Sequence, residues 1–181
     1  TGSATYEDYR GSGYTRGHLV PAADRAYDPE AMEATFLMSN VSPQIGAFNG
    51  GVWRELEENV RDWARNSGEL IIITGPIFNA KPQKFGNNRV AIPSHFFKVV
   101  LDVRNPMQGA GFIIPNRLSE DPLANYMLTI DGVEAETGLD FFHELLSPAI
   151  EDKTESTLST EAWPIDPRRY QWRIEEWNRR R

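Results

Sequence analysis

An α+β fold is predicted by the order of patterns along this chain. Short strand-like apolar runs flank one strong amphipathic helix, without the regular strand–helix alternation of a doubly wound sheet. The helix, over residues 50–66, is the clearest element. At 100° per residue Val52, Trp53, Leu56, Val60, Trp63 and Ala64 fall within an arc of roughly 120°, and Ser67-Gly68 closes the helix in the manner of a C-cap. Three apolar runs read as strands: residues 70–74, bounded by Gly75-Pro76, residues 95–102 and residues 110–115. The last two are joined through the turn signals Asn105-Pro106 and Gln108-Gly109.

The remaining segments follow from local signals. Residues 1–28, rich in Gly, Tyr and Arg and without helical period, read as loop with short extended pieces. Asp28-Pro29-Glu30 opens a helix, with an aspartate cap, proline in the first turn and an early glutamate. Residues 35–41 read as a short β segment and residues 42–46 as a turn. Downstream, residues 129–133 read as extended, 133–146 as a helix–turn–helix punctuated by Gly138, and 151–160 as a polar loop. For the tail tryptophans Trp163, Trp172 and Trp177, a C-terminal helix docked on the core is favoured over stacking on bases.

At 181 residues, with 40% hydrophobic and 25% charged residues, the chain suits one domain with a sizeable core. That domain is expected to span residues 1–181, with a core at about 8–146 and a polar loop and Arg/Trp-rich tail at 147–181. No apolar run has a membrane-spanning length, and the absence of cysteine excludes disulfides and thiolate chemistry. A net charge of −7 argues against coating nucleic acid non-specifically. The charge is unevenly spread: Arg168, Arg169, Arg173, Arg179, Arg180 and Arg181 crowd the tail, and every basic residue before Lys81 is an arginine. Arginine is the preferred fork for phosphate or carboxylate. The chain opens at Thr1 with no initiator methionine and no apolar signal segment, so a removed leader or N-terminal piece is expected.

Two blocks carry the chemistry. His18 follows Gly17 and lies two residues after Arg16; histidine is the commonest general base because it titrates near neutrality. Taken alone, the tripeptide fits a structural histidine at least as well. Asn49 begins the strong helix, where its amide oxygen suits Mg²⁺, an ion that keeps several waters and takes few protein ligands. Taken alone it fits a helix N-cap better. Asn49, Trp53, Glu57 and Arg61 are spaced four apart along one ridge. Glu57 falls about 20° outside the apolar arc, half-buried and able to hold metal waters; Arg61 is placed to pair with it and face a phosphate. An exposed ion pair at this spacing is the ordinary alternative. His95 reads as structural, and His143 is assigned no chemistry.

Arg16-Gly17-His18, followed by Asn40, Pro43-Gln44, Asn49, Trp53, Glu57 and Arg61, resembles the DNA/RNA non-specific endonuclease family, the ββα-metal or His-Me finger nucleases. The likeness continues through Thr74-Gly75-Pro76 and residues 92–98 and ends near residues 137–142. It implies a ββα-metal fold with a mixed, mainly antiparallel sheet flanked by helices. It further implies His18 as the general base activating water, Asn49 as the direct ligand of Mg²⁺ (Mn²⁺ substituting), and Glu57 as orienting the metal waters. Arg16 and Arg61 would stabilise charge on the scissile phosphate, and Asn40 would support the site. The implied activity is cleavage of DNA and RNA without strong sequence preference. A homodimer is compatible, as some members pair; the compartment would be secreted or periplasmic for a bacterial chain and mitochondrial for a eukaryotic one.

Two departures qualify the match. Thr15 stands where the family motif usually begins with aspartate, from which altered activity or substrate choice is expected. The further N-terminal strand usual in the family does not precede the motif. Together with the acidic balance, Thr15 keeps open a phosphodiesterase acting on small diesters or nucleotide fragments, and beyond it a nucleic-acid-binding module with an impaired site.

Overall fold

The computed structural model describes residues 3–104 and 106–179. Its main sheet is antiparallel, with β3 (Leu70–Ile77), β6 (His95–Asp102), β7 (Gln108–Pro115) and β8 (Met127–Leu128) adjacent in that order. Leu70 faces Asp102 and Ile77 faces His95 across the first pair; His95 faces Pro115 across the second. Strand β6 is central and buried on both faces, so it reads as a nearly continuous apolar run. Its side chains alternate: Phe96 and Val100 join one core cluster, Phe97, Val99 and Leu101 the other. Pairing among the described residues is antiparallel throughout, which simplifies the mixed sheet expected.

The strong helix covers the first cluster. Val52, Trp53, Leu56, Val60 and Trp63 are all buried against Phe96, Val100, Ala110, Phe112 and Ile114. Full burial of each such side chain stabilises by roughly 1.5–3 kcal/mol. The helix is built in pieces: α3 (Gly46–Phe48), a wide π-type turn at Asn49–Trp53 in which Gly51 leaves helical geometry, and α4 (Arg54–Ser67). Gly68, at φ +84°, ends α4 as expected. On the opposite face Ile130, Val133, Phe141 and Phe142 pack on the second cluster.

Ahead of α3, β1 (Tyr14–His18) pairs antiparallel with β2 (Val41–Ile45), giving a ββα unit beside the main sheet. Residues 42–46, expected as a turn, therefore belong mostly to a strand. Pro43 is tolerated because both strands of a two-stranded ribbon are edges. The ribbon is lashed to the sheet by buried Asn116, which accepts from the Ile45 amide at 2.9 Å and donates to the Pro43 and Pro93 carbonyls at 3.0 and 3.1 Å.

Other local expectations are corrected by side chains acting on backbone. Within the presumed N-terminal loop, Asp8 caps α1 (Tyr6–Tyr9) by accepting from the Thr5 amide and hydroxyl, both at 2.8 Å. The same carboxylate accepts from Asn88 beside a small hairpin, β4 (Lys84–Phe85) with β5 (Val90–Ala91). The helix signal at Asp28 is realised as α2 (Pro29–Ala34), with Asp28 accepting from Glu30 and Ala31. Thr129, expected in an extended stretch, caps α5 (Ile130–Thr137) through the Gly132 amide at 3.0 Å. Gly138, at φ +70°, ends that helix, and residues 139–147 continue as turns instead of a second helix. The polar segment after Ser147 is not a loop at its start but α6 (Pro148–Glu155), opened by a first-turn proline.

The tail docks. Helix α7 (Pro167–Trp172) and the turn Arg173–Trp177 lie back on α4: Trp163 is buried edge-on against Trp63, and Trp177 lies under the Arg54 guanidinium at 4.1 Å. Arg169 bonds Asn59 and Asp62, and Arg173 is buried against Glu55. These tail arginines are occupied internally, and of the tail tryptophans only Trp172 is largely exposed. Asn105, Arg180 and Arg181 lie outside the described residues.

Candidate active site

The β1–β2 ribbon sets Thr15 opposite Gln44, Gly17 opposite Ser42 and His18 opposite Val41. Gly17 has a steric reason: a Cβ there would come within 2.0 Å of the fully buried Gln44 side chain. His18 is half-buried edge-on to Phe36 at 4.8 Å, and its Nε2 has no hydrogen-bond partner among the described residues. Burial first, then the Arg16 charge, hold its pKa below the ordinary histidine value. The imidazole is thereby kept neutral, the form a base needs. Arg16 is exposed, with its guanidinium over the Tyr6 ring at 4.5 Å and no carboxylate paired to it among the described residues.

Asn40 holds the turn behind His18. Its Oδ1 accepts from the Val20 amide at 3.0 Å, its Nδ2 donates to the Val20 and Thr35 carbonyls, and its own carbonyl accepts from Leu19. The bonds to Leu19 and Val20 clamp the segment that leaves His18, and the one to Thr35 ties Asn40 to the turn before it.

Asn49 lies in the wide turn that joins α3 to α4, and its Nδ2 donates to Thr15 Oγ1 at 3.0 Å. Thr15 Oγ1 in turn donates to the Gln44 carbonyl at 2.9 Å. One turn into α4, Glu57 is half-buried and makes no hydrogen bond or ion pair among the described residues. Desolvation pushes its carboxyl up to about 7, against the opposing pull of Lys98 and Arg61.

Arg61 does not pair with Glu57, as the helical spacing suggested, but with Asp24 at 3.0 Å. The short helical turn Ala22–Arg25 brings Asp24 across, and both partners line a cleft of about 620 Å³ with Thr74 and Lys98. His18 and Asn49 lie outside that lining.

Lys98 was missed. It is 2% exposed in mid-β6, donates to Thr74 Oγ1 at 2.7 Å and lies 4.9 Å from the Trp53 ring centre. Burial lowers its pKa, while Glu57 and then Asp24 raise it. A lysine inside an otherwise apolar run was the available signal. His95 bonds the neighbouring Ser94 hydroxyl, and His143 is exposed beside Asp140; neither joins this group.

A strand pair feeding one helix, with a histidine on the first strand and an asparagine at the helix entry, is the ββα-metal nuclease architecture. The chain matches the DNA/RNA non-specific endonuclease family over residues 2–147, and it belongs to that family. It is 35% identical to human mitochondrial endonuclease G over 165 residues, covering 81% of this chain and 54% of that protein. The mitochondrial Nuclease 1 of Schizosaccharomyces pombe is 38% identical over 152 residues, covering 74% and 47%. A crystal structure of an EndoG/EndoGI complex superposes with a TM-score of 0.74 at 30% identity, over 79% of this chain and 64% of that one. The chain spans about half the length of the curated relatives it matches.

Proposed function

We propose that this chain hydrolyses phosphodiester bonds in DNA and RNA, without strong sequence preference and with a divalent metal, Mg²⁺ foremost. The observation carrying this reading is the bond from Asn49 to Thr15, which commits the amide nitrogen inward and leaves the amide oxygen free. A free amide oxygen, with the unbonded carboxylate of Glu57 eight residues further along the same helical ridge, is a hard-oxygen donor set of the kind Mg²⁺ takes. Asn49 would hold the ion directly and Glu57 through water. When bound, the ion supplies Lewis-acid polarisation of the phosphate.

The protein's own groups do the rest. His18 accepts the proton of the attacking water, its imidazole held in the neutral form by burial and by the Arg16 charge. Arg16 and Arg61 offset charge accumulating on the phosphate oxygens; Asn40 positions His18 by clamping the residues that follow it. Lys98, held by Thr74, acts on Glu57 and opposes the rise in its pKa that burial causes.

The test is digestion of plasmid, single-stranded DNA, RNA and a small chromogenic diester side by side, with Mg²⁺, Mn²⁺ or chelator. Cleavage of all three polymers that chelator abolishes is expected. Cleavage of the small diester alone would favour the phosphodiesterase reading, which the net charge of −7 supports. Binding without cleavage of any substrate would leave only a nucleic-acid-binding module.

A further inference from the structure

The far side of the sheet holds a second group of carboxylates that the nuclease chemistry does not use. Asp131 and Glu134 lie one turn apart on α5, and Glu155 ends α6. One carboxylate oxygen from each lies within 4.8 Å of the other two. An ion about 2.4 Å from each oxygen requires a separation no larger than this. The group is graded in depth: Asp131 is exposed, Glu134 half-buried and Glu155 only 3% exposed.

Glu155 is the observation that points to a ligand. Its Oε1 is buried with no hydrogen-bond partner among the described residues, although its carboxylate is aimed at two others. Burying an unpartnered carboxylate among like charges is costly unless a cation or a proton compensates. No lysine, arginine or histidine forms an ion pair with any of the three among the described residues. After burial, the charges acting on Glu155 are Glu134, Glu151, Asp131 and Asp140, all of its own sign.

We propose that Asp131, Glu134 and Glu155 form a structural Ca²⁺ site that joins α5 to α6, separate from the catalytic group. Three carboxylates from the protein suit Ca²⁺, which accepts six to eight oxygens in flexible geometry. Mg²⁺ dehydrates reluctantly and usually takes only one or two carboxylates. The exposed side at Asp131 leaves room for waters to complete the shell. Glu134 also accepts from the Phe141 amide at 2.6 Å, so an ion there would brace the turn that places Phe141 and Phe142 in the core. Half-saturation is expected at roughly 10⁻⁴–10⁻³ M, the weak end of the range that protein Ca²⁺ sites span, because only three protein ligands are supplied.

The experiment is calorimetric titration of Ca²⁺ and thermal unfolding with Ca²⁺, Mg²⁺ or EDTA, in an Asn49→Ala background so that the catalytic group contributes little. One Ca²⁺ per chain is expected, with a melting temperature several degrees higher in Ca²⁺ than in EDTA. The double variant Asp131→Asn/Glu155→Gln should lose both responses and unfold no earlier than its parent in EDTA, because its like-charge repulsion is gone. Placed instead in a wild-type background, the double variant should keep Mg²⁺-dependent cleavage, which separates this site from the proposed activity. No heat and no shift up to 10 mM Ca²⁺ (about ten times the weaker expected constant), a response the double variant retains, or a shift as large in Mg²⁺ would each overturn the assignment.

Discussion

Asn49 is oriented by the single proton of Thr15. The threonine hydroxyl gives that proton to the Gln44 carbonyl at 2.9 Å, so toward Asn49 it can only accept, and it does so at 3.0 Å. The asparagine must therefore present its NH₂ group to Thr15 and turn its oxygen away. The place where this chain departs from the family's aspartate is thus the place that sets the direction of the proposed metal ligand. Thr15→Val, nearly isosteric, should raise the Mg²⁺ concentration for half-maximal cleavage several-fold. Thr15→Asp keeps an acceptor for Asn49 but cannot donate to Gln44, and it adds a charge, so it should change rate or Mg²⁺/Mn²⁺ preference. Identical metal titrations of all three forms on plasmid DNA and a small diester would make position 15 a bystander.

His18→Ala should lower turnover by at least about 100-fold, the usual loss for a general base, and should leave the circular dichroism spectrum unchanged. The pH profile carries a finer test. Burial, then Arg16, lower the His18 pKa, so the neutral imidazole persists to lower pH than in a free histidine. Removing the like charge with Arg16→Gln raises that pKa. The acidic limb of log kcat/KM should accordingly move to higher pH, on top of any loss in rate. A limb that stays in place would detach Arg16 from His18.

Lys98→Met removes a buried amine and keeps the stem that packs by Trp53. Glu57 then loses its largest favourable charge and holds its proton to higher pH. Because the carboxyl can remain neutral, the cost in melting temperature should be small. The Mg²⁺ requirement should rise several-fold, and more at pH 6 than at pH 8, since the proton and the ion compete for one carboxylate. Metal titrations at the two pH values check this; matching curves for wild type and variant would remove Lys98 from the site.

How much of this was legible in the sequence depended on whether the signal was periodic. The burial of Val52, Trp53, Leu56, Val60 and Trp63 followed from spacing alone, and β6 begins and ends at the residues its apolar run marked. Misreadings arose where one side chain overrides local preference. Pro43 suggested a turn, but an edge strand accepts a proline; Thr129 looked extended because an N-cap residue is itself extended while its side chain accepts from the Gly132 amide. The candidate site residues were picked out by a resemblance that aligns positions without giving geometry. Spacing four apart suggested a Glu57–Arg61 pair, yet Asp24, more than thirty residues upstream, takes the arginine. Asn116 and Lys98 act through contacts distant in sequence, which a single chain read locally does not display.

The tail supplies the last prediction. Arg173 and Glu55 are both fully buried and bonded to each other, and Arg173 also donates to the Ser119 and Asp121 carbonyls. Arg173→Ala would strand a carboxylate inside α4 and take the side-chain donor from the Asp121 carbonyl, while Ser119 keeps the bond from Asn178; breaking such a pair costs about 3–5 kcal/mol. Burial already raises the Glu55 pKa, with Arg173 the main opposing influence. In the variant that influence is gone, and the folded pKa rises further above the unfolded one. A carboxyl with a raised folded pKa costs nothing while protonated and becomes destabilising as pH rises through the unfolded value. The melting temperature deficit of Arg173→Ala should therefore be larger at pH 8 than at pH 5. In Glu55→Gln/Arg173→Met, which leaves no charge to strand, the deficit should be smaller and nearly independent of pH. Thermal unfolding of the three proteins at both pH values decides it. A deficit equal at pH 5 and pH 8 in the single variant would mean that lost packing, not the stranded charge, holds the tail to α4.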